Sequence, residues 1–158
     1  MRKCLQGEKP WPLFLYGGVG GGKTCAVLVL CDAVARSRYW TAPELHNALV
    51  AAQRGELEAG NFRVGWKVQP GAIWKEWEDA PLAVLDELGT RQTVSDAMFE
   101  TVKRAIDLRE GSPAVFVSNI GLDEVARAYD DRIASRLGAG TVFSLEAVDR
   151  RLSEAGTQ

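Results

Sequence analysis

Between residues 17 and 24 the chain sets five glycines, a lysine and a threonine around one valine: Gly17-Gly18-Val19-Gly20-Gly21-Gly22-Lys23-Thr24. Glycine puts no Cβ between backbone and ligand, so successive N–H groups can turn inward around an anion. Lys23 supplies a charge for β- and γ-phosphates, and the Thr24 hydroxyl supplies a ligand for Mg2+. The spacing is that of a G-x-x-x-x-G-K-[ST] phosphate loop. The chemistry it points to is binding of a nucleoside triphosphate with Mg2+. Gly17, Gly18, Val19, Gly20, Gly21, Gly22, Lys23, Thr24 and Cys25 are the candidate nucleotide-binding residues.

Hydrolysis needs a second group that holds the metal and activates water. Ala83-Val84-Leu85-Asp86-Glu87 offers both at the end of an apolar run. Asp86, with Thr24, is the candidate metal-holding residue, acting through the metal's water shell. Glu87 is the candidate for polarising the attacking water. The next apolar run ends in Ser118-Asn119. Two roles stand open for Asn119: sensing the γ-phosphate or lytic water, and capping the helix near Leu122. Arg132 and Arg136 lie four apart, so on a helix they share a face. That pair reads either as ordinary surface charge or as an arginine finger reaching a neighbouring subunit's nucleotide. The only histidine, His46, has no partner at metal-ligand spacing and reads as structural.

These groups need a scaffold. Apolar runs at 12–16, 38–41, 82–86, 113–118 and 141–144 alternate with helical segments, the pattern of a parallel α/β sheet. Leu82-Ala83-Val84-Leu85 and Ala114-Val115-Phe116-Val117 are continuous, as in strands covered on both faces. The helix after the loop, Cys25 to Ala35, is apolar nearly all round and is expected to be well buried, with Cys25 and Cys31 packed as small hydrophobes. A second helix starts after Thr41 with Pro43 in its first turn. A third covers 70–78. Val94 to Asp107 is amphipathic, with Met98, Phe99, Val102, Ala105 and Ile106 on one face and a Glu100–Arg104 pair expected on the other. Leu122 to Leu137 reads as two short helices. Residues 54–68 read as an excursion. Trp66, Trp74 and Trp77 lie in or near it, either covering one end of the sheet or forming a partner surface.

The 158 residues suit one domain with a real core, at 46% hydrophobic and 25% charged residues. A net charge of −2 gives no overall basic field for nucleic acid, so DNA contact would need a local patch or several subunits. Arg36, Arg38, Arg54 and Arg63 are scattered and read as solvated charges. Cys4, Cys25 and Cys31 fit neither a disulfide framework nor zinc spacing. No run is long enough to span a membrane and no signal peptide is visible, so a cytoplasmic location is expected.

Taken together, these motifs resemble the DnaC/IstB-type branch of the AAA+ ATPases, related to the DnaA initiator. The similar stretches are Leu15 to Thr24, Val84-Leu85-Asp86-Glu87-Leu88-Gly89, Ile106-Asp107-Leu108-Arg109 before the sensor strand, Val117-Ser118-Asn119, and Asp131-Arg132-Ile133-Ala134-Ser135-Arg136-Leu137. They cover roughly 12–152 in the family's order. The resemblance implies a three-layer P-loop NTPase fold with a five-stranded parallel sheet in the order 5-1-4-3-2. It implies Asn119 as sensor 1 and Arg136 as the arginine finger, with Lys23 and Glu87 completing the catalytic set. Arg151 matches a terminal family arginine only loosely. Residues 1–158 read as a single ATPase core with no separate N-terminal partner-binding domain and no C-terminal lid.

The function implied is an ATP-hydrolysing protein that assembles with copies of itself and assists DNA replication as a helicase loader. Its expected partners are a replicative helicase or other DNA-processing protein and single-stranded DNA, with no membrane. ATP is preferred to GTP because no Asn-Lys-x-Asp motif is present. A transposition helper of IstB type and a nucleotide-switched adaptor with little turnover are the alternatives. A small-molecule kinase is disfavoured, since Asp86-Glu87 suits water activation and no arginine-rich lid is visible.

Overall fold

A computed structural model describes residues 2–58, 67–89 and 94–145. Trp66, Arg63 and Arg151 lie outside the described residues. Five strands, β1 (Leu13–Tyr16), β2 (Arg38–Thr41), β3 (Ala83–Leu88), β4 (Ala114–Ser118) and β5 (Thr141–Ser144), form one parallel sheet in the order β2-β3-β4-β1-β5. Read from its other edge this is the expected 5-1-4-3-2. The helices are α1 (Arg2–Leu5), α2 (Lys23–Ala33), α3 (Ala42–Gln53), α4 (Pro70–Glu78), α5 (Asp96–Asp107), α6 (Leu122–Ala128) and α7 (Asp131–Gly138).

Alternation along the strands divides the core into two layers. Leu13, Leu15, Val84, Val115 and Val117 face α2 through Val27 and Leu30. Phe14, Ala83, Leu85 and Phe116 face the opposite way, against Leu45 of α3, Trp77 of α4, Val102 of α5 and Ile133 and Leu137 of α7. The helix starts are set locally. Thr41 and Glu44 form a reciprocal capping box at α3, with Pro43 in the first turn. Ser95 caps α5 by accepting from Met98 N–H, and Asp130 caps α7 by accepting from Ile133 N–H.

Several expectations change. Helix α2 is not buried all round: Leu28 is 46% and Val29 71% exposed, and Cys25 is exposed, while Cys31 is half-buried. A helix lying on a sheet buries only the stripe that meets it, here Val27 and Leu30, whatever residues occupy its far side. The Glu100–Arg104 pair does not form. Glu100 meets Lys103 at 3.8 Å instead, and the Arg104 guanidinium lies 4.8 Å from the Trp74 ring centre, where the π face attracts the cation. Trp74 and Trp77 cover the sheet from α4 as core residues, with the Trp77 indole donating to the Ala105 carbonyl at 3.0 Å. Arg109, from the family-like segment, is also internal. Its guanidinium donates to the carbonyls of Trp77 (3.3 Å), Glu78 (2.6 Å) and Pro113 (2.6 Å), tying the end of α4 to the start of β4. Burial pulls its pKa down, partly offset by Glu78.

Candidate functional site

The glycine loop leaves β1 at the centre of the sheet and feeds α2. Its first residue is fixed by a close approach: Gly17 has φ +146°, and a Cβ there would overlap the Leu145 carbonyl oxygen, just beyond β5. At the other end Gly22, at φ +75°, is the α2 N-cap and offers no side chain to the first turn. The leading N–H groups of the helix are thus left for an anion. Lys23 folds back across the loop, its ammonium donating to the Gly17 and Gly18 carbonyls at 2.7 Å each. Burial lowers its pKa, and the Asp86 carboxylate opposes that shift.

Asp86 approaches from β3. It is 3% exposed, and its Oδ2 accepts the Thr24 hydroxyl at 2.8 Å, joining two motifs 62 residues apart. The strand does not end at this pair, as the sequence suggested, but continues to Leu88. Its pairing with β4 shifts between Leu85 and Leu88, and the irregularity falls on Asp86 and Glu87. Glu87 takes φ +63°, a left-handed conformation strained for a residue with a side chain. Its N–H donates to Asp86 Oδ1 at 2.7 Å while its carboxylate is directed to solvent.

Val19 to Cys25, Asp86, Glu87, Ser118 and Asn119 line one cleft of about 360 Å3. Asn119 therefore sits beside the loop, and its capping alternative fails: α6 is capped at Gly121, and Ser118 Oγ accepts the Ile120 N–H at 3.1 Å. Arg136 is not brought to this cleft. It stands exposed on α7, paired with Asp107 at the end of α5, with Arg132 exposed on the same helix. His46 is half-buried, its Nδ1 3.0 Å from the Thr101 hydroxyl. Arg38 pairs with Glu76 at 3.1 Å.

Sequence reading missed two hydroxyl contacts at this end of the sheet. Tyr39 on β2 donates to Asp86 Oδ2 at 3.0 Å. The Tyr129 hydroxyl accepts the Gly89 N–H at 3.2 Å, and burial raises the Tyr129 pKa. Both join residues far apart in the chain, so no local pattern signals them. The donor set itself fits Mg2+ with a nucleotide: hard oxygens from Thr24 and Asp86, beside a loop where a Cβ at Gly18 or Gly22 would meet only open space. No group of three or more His, Cys, Asp or Glu residues among the described residues suits a protein-only metal cage. No described helix is long and apolar enough to cross a membrane.

This sheet order, with the glycine loop after β1 and the acidic pair on β3, defines a P-loop NTPase fold of the AAA+ type. Among solved structures it is similar to the DnaC helicase loader, with TM-score 0.67 and 17% identity over 85% of this chain and 77% of that one. It is likewise similar to AMPPCP-bound DnaA from Aquifex aeolicus, with TM-score 0.66 and 17% identity over 94% and 47% of the two chains. A replication initiator DnaA bound to AMPPCP and single-stranded DNA gives TM-score 0.65 and 17% identity over 93% and 46%. The chain spans about half the length of these DnaA structures. At such identities the likeness is one of fold. No protein-family model and no curated protein matches the sequence.

Proposed function

We propose that this chain is an ATPase core that binds and hydrolyses ATP with Mg2+, completes its active site between subunits, and assists DNA replication by loading or remodelling a replicative helicase. The observation that carries the reading is the 2.8 Å hydrogen bond from Thr24 to Asp86, which closes the phosphate loop onto the acidic strand. By donating its proton to Asp86, Thr24 keeps its oxygen lone pairs for a cation. Mg2+, when bound there, neutralises charge developing on the phosphates. Lys23, already held over the loop, exchanges the Gly17 and Gly18 carbonyls for phosphate oxygens. Glu87, solvent-facing at the cleft, orients the attacking water, and Asn119 reads the γ-phosphate from the neighbouring strand. The fold shared with the DnaC helicase loader and with DnaA bound to AMPPCP and single-stranded DNA supports the replication role and DNA as a partner.

Arg136 lies outside its own cleft, which supports action in trans on a neighbouring copy. The same observation favours a second reading, a nucleotide-switched adaptor with little turnover. The two separate in one experiment: ATP hydrolysis per subunit measured against protein concentration, with single-stranded DNA present. A specific rate that climbs with concentration and is lost in Arg136→Ala, with ATP binding retained, supports the assembled ATPase. A flat specific rate removes the assembly reading of Arg136. Negligible turnover at every concentration, with tight binding, supports the adaptor.

A further inference from the structure

Three donors converge on the Asp86 carboxylate, and only two belong to the motifs that mark the site. Oδ2 accepts Thr24 Oγ1–H at 2.8 Å and Tyr39 O–H at 3.0 Å, and Oδ1 accepts the Glu87 N–H at 2.7 Å. A carboxylate offers about four acceptor positions, so one remains, on Oδ1. The Tyr39 contact is built by sheet order. β2 lies beside β3 with Tyr39 level with Val84 and Thr41 level with Asp86, so the phenol reaches along the strand to the carboxylate.

The chemistry of this third donor is specific. Thr24 has a second duty toward the cation and Glu87 contributes only backbone, whereas the Tyr39 hydroxyl has Asp86 as its hydrogen-bond partner. A phenol is an uncharged donor near neutral pH, and Tyr39 presents that donor to Asp86 Oδ2. A neutral donor fixes a carboxylate without adding positive charge that would oppose a divalent cation. A lysine in its place would compete for Asp86.

We propose that Tyr39 is a positioning residue of the metal site, whose hydroxyl holds the Asp86 carboxylate in the orientation that engages Thr24 and leaves an Oδ1 acceptor for the cation's water shell. The inference rests on the reading of Asp86 as the metal-holding residue. Partners that orient a metal-binding group are worth about 10–100-fold in metal affinity, so Tyr39→Phe is expected to weaken Mg2+-dependent nucleotide binding about tenfold.

The test is a titration of fluorescent ATP into wild type, Tyr39→Phe and Asp86→Ala, each in Mg2+ and in EDTA. The expected result is a wild-type gain in affinity with Mg2+, largely lost in both variants, with affinity in EDTA unchanged. A merely structural role for Tyr39 lowers both affinities together and overturns the proposal. So does a Tyr39→Phe variant that keeps or increases the Mg2+ gain while Asp86→Ala loses it. If wild type itself shows no gain with Mg2+, the ATPase reading fails first, and Tyr39 falls with it. If Tyr39→Phe does not fold, Tyr39→Met fills the space without a donor and is read against the same outcomes.

Discussion

On the proposed reading Glu87 couples stability and turnover in opposite directions, and one substitution separates them. Its φ of +63° costs a residue with a Cβ about 1–2 kcal/mol relative to the right-handed region. Its side chain is solvent-exposed, and the hydrogen bond to Asp86 Oδ1 comes from its backbone. Glycine therefore keeps the local contact and releases the strain. The added freedom of glycine in the unfolded chain takes back about 0.4–1 kcal/mol. The net is roughly 0.5–1 kcal/mol in favour of Glu87→Gly, a rise of about 1–4 °C in Tm for a domain of this size. Removing the carboxylate proposed to polarise water should lower turnover by about 100-fold or more. The assay pairs calorimetric melting with ATP hydrolysis in Glu87→Gly and Glu87→Ala. Both lose the carboxylate, but alanine retains the strain, so their difference in Tm isolates the backbone. The reasoning is refuted if the glycine variant melts no higher than the alanine variant, or if either hydrolyses ATP at the wild-type rate.

Gly17→Ala sets a Cβ against the Leu145 carbonyl and strains φ +146°, so urea unfolding should show a loss of about 2–4 kcal/mol. Lys23, lowered below the ordinary 10.5 by burial, loses its charge earlier than a free lysine as pH rises. Between its folded pKa and 10.5 the unfolded chain holds more protons, so the stability of the nucleotide-free protein rises with pH while ATP affinity falls. Affinity titrations should show that alkaline fall in wild type and none in Lys23→Arg, whose charge persists. Asp107→Asn frees Arg136 from an exposed pair worth about 0.2–1 kcal/mol, so it should leave Tm nearly unchanged. It should raise turnover about two-fold at limiting protein concentration; a drop would mean that Asp107 positions Arg136 rather than withholding it.

What was legible in the sequence was local. The loop, the acidic pair, the Ser-Asn strand end and the start of α3 after Thr41 with Pro43 in its first turn each reside within a few residues, and the structure puts the first three in one cleft. Burial was less legible, because it depends on what lies across the sheet. Nothing in Cys25 to Ala33 distinguishes Val27, which meets β-strand side chains, from Val29, which meets water. Side-chain pairing was read by spacing alone, and Arg104 left its i−4 glutamate for the Trp74 ring. The strain at Glu87 was illegible too, since it arises where β3 slips its register against β4, a property of two strands rather than of either.

The geometry also divides the proposed cycle between what one chain holds and what it lacks. The loop, Lys23 and Thr24 at the start of α2, Asp86 and Glu87 within β3, and Asn119 just after β4 gather around strands β1, β3 and β4 at the centre of the sheet. Their arrangement depends on the core of a single copy, so nucleotide binding should be independent of protein concentration. Arg136 is instead on α7, whose Ile133 and Leu137 anchor it to the layer that also carries α3, α4 and α5, and it is engaged by Asp107 there. In the proposed cycle it leaves that pair to meet a phosphate in the cleft of another copy. Binding and turnover should therefore respond differently to dilution. A protein whose ATP affinity and specific hydrolysis rate scale together with concentration would require the cleft itself to be incomplete in one chain, against the hydrogen bond that already closes Thr24 onto Asp86.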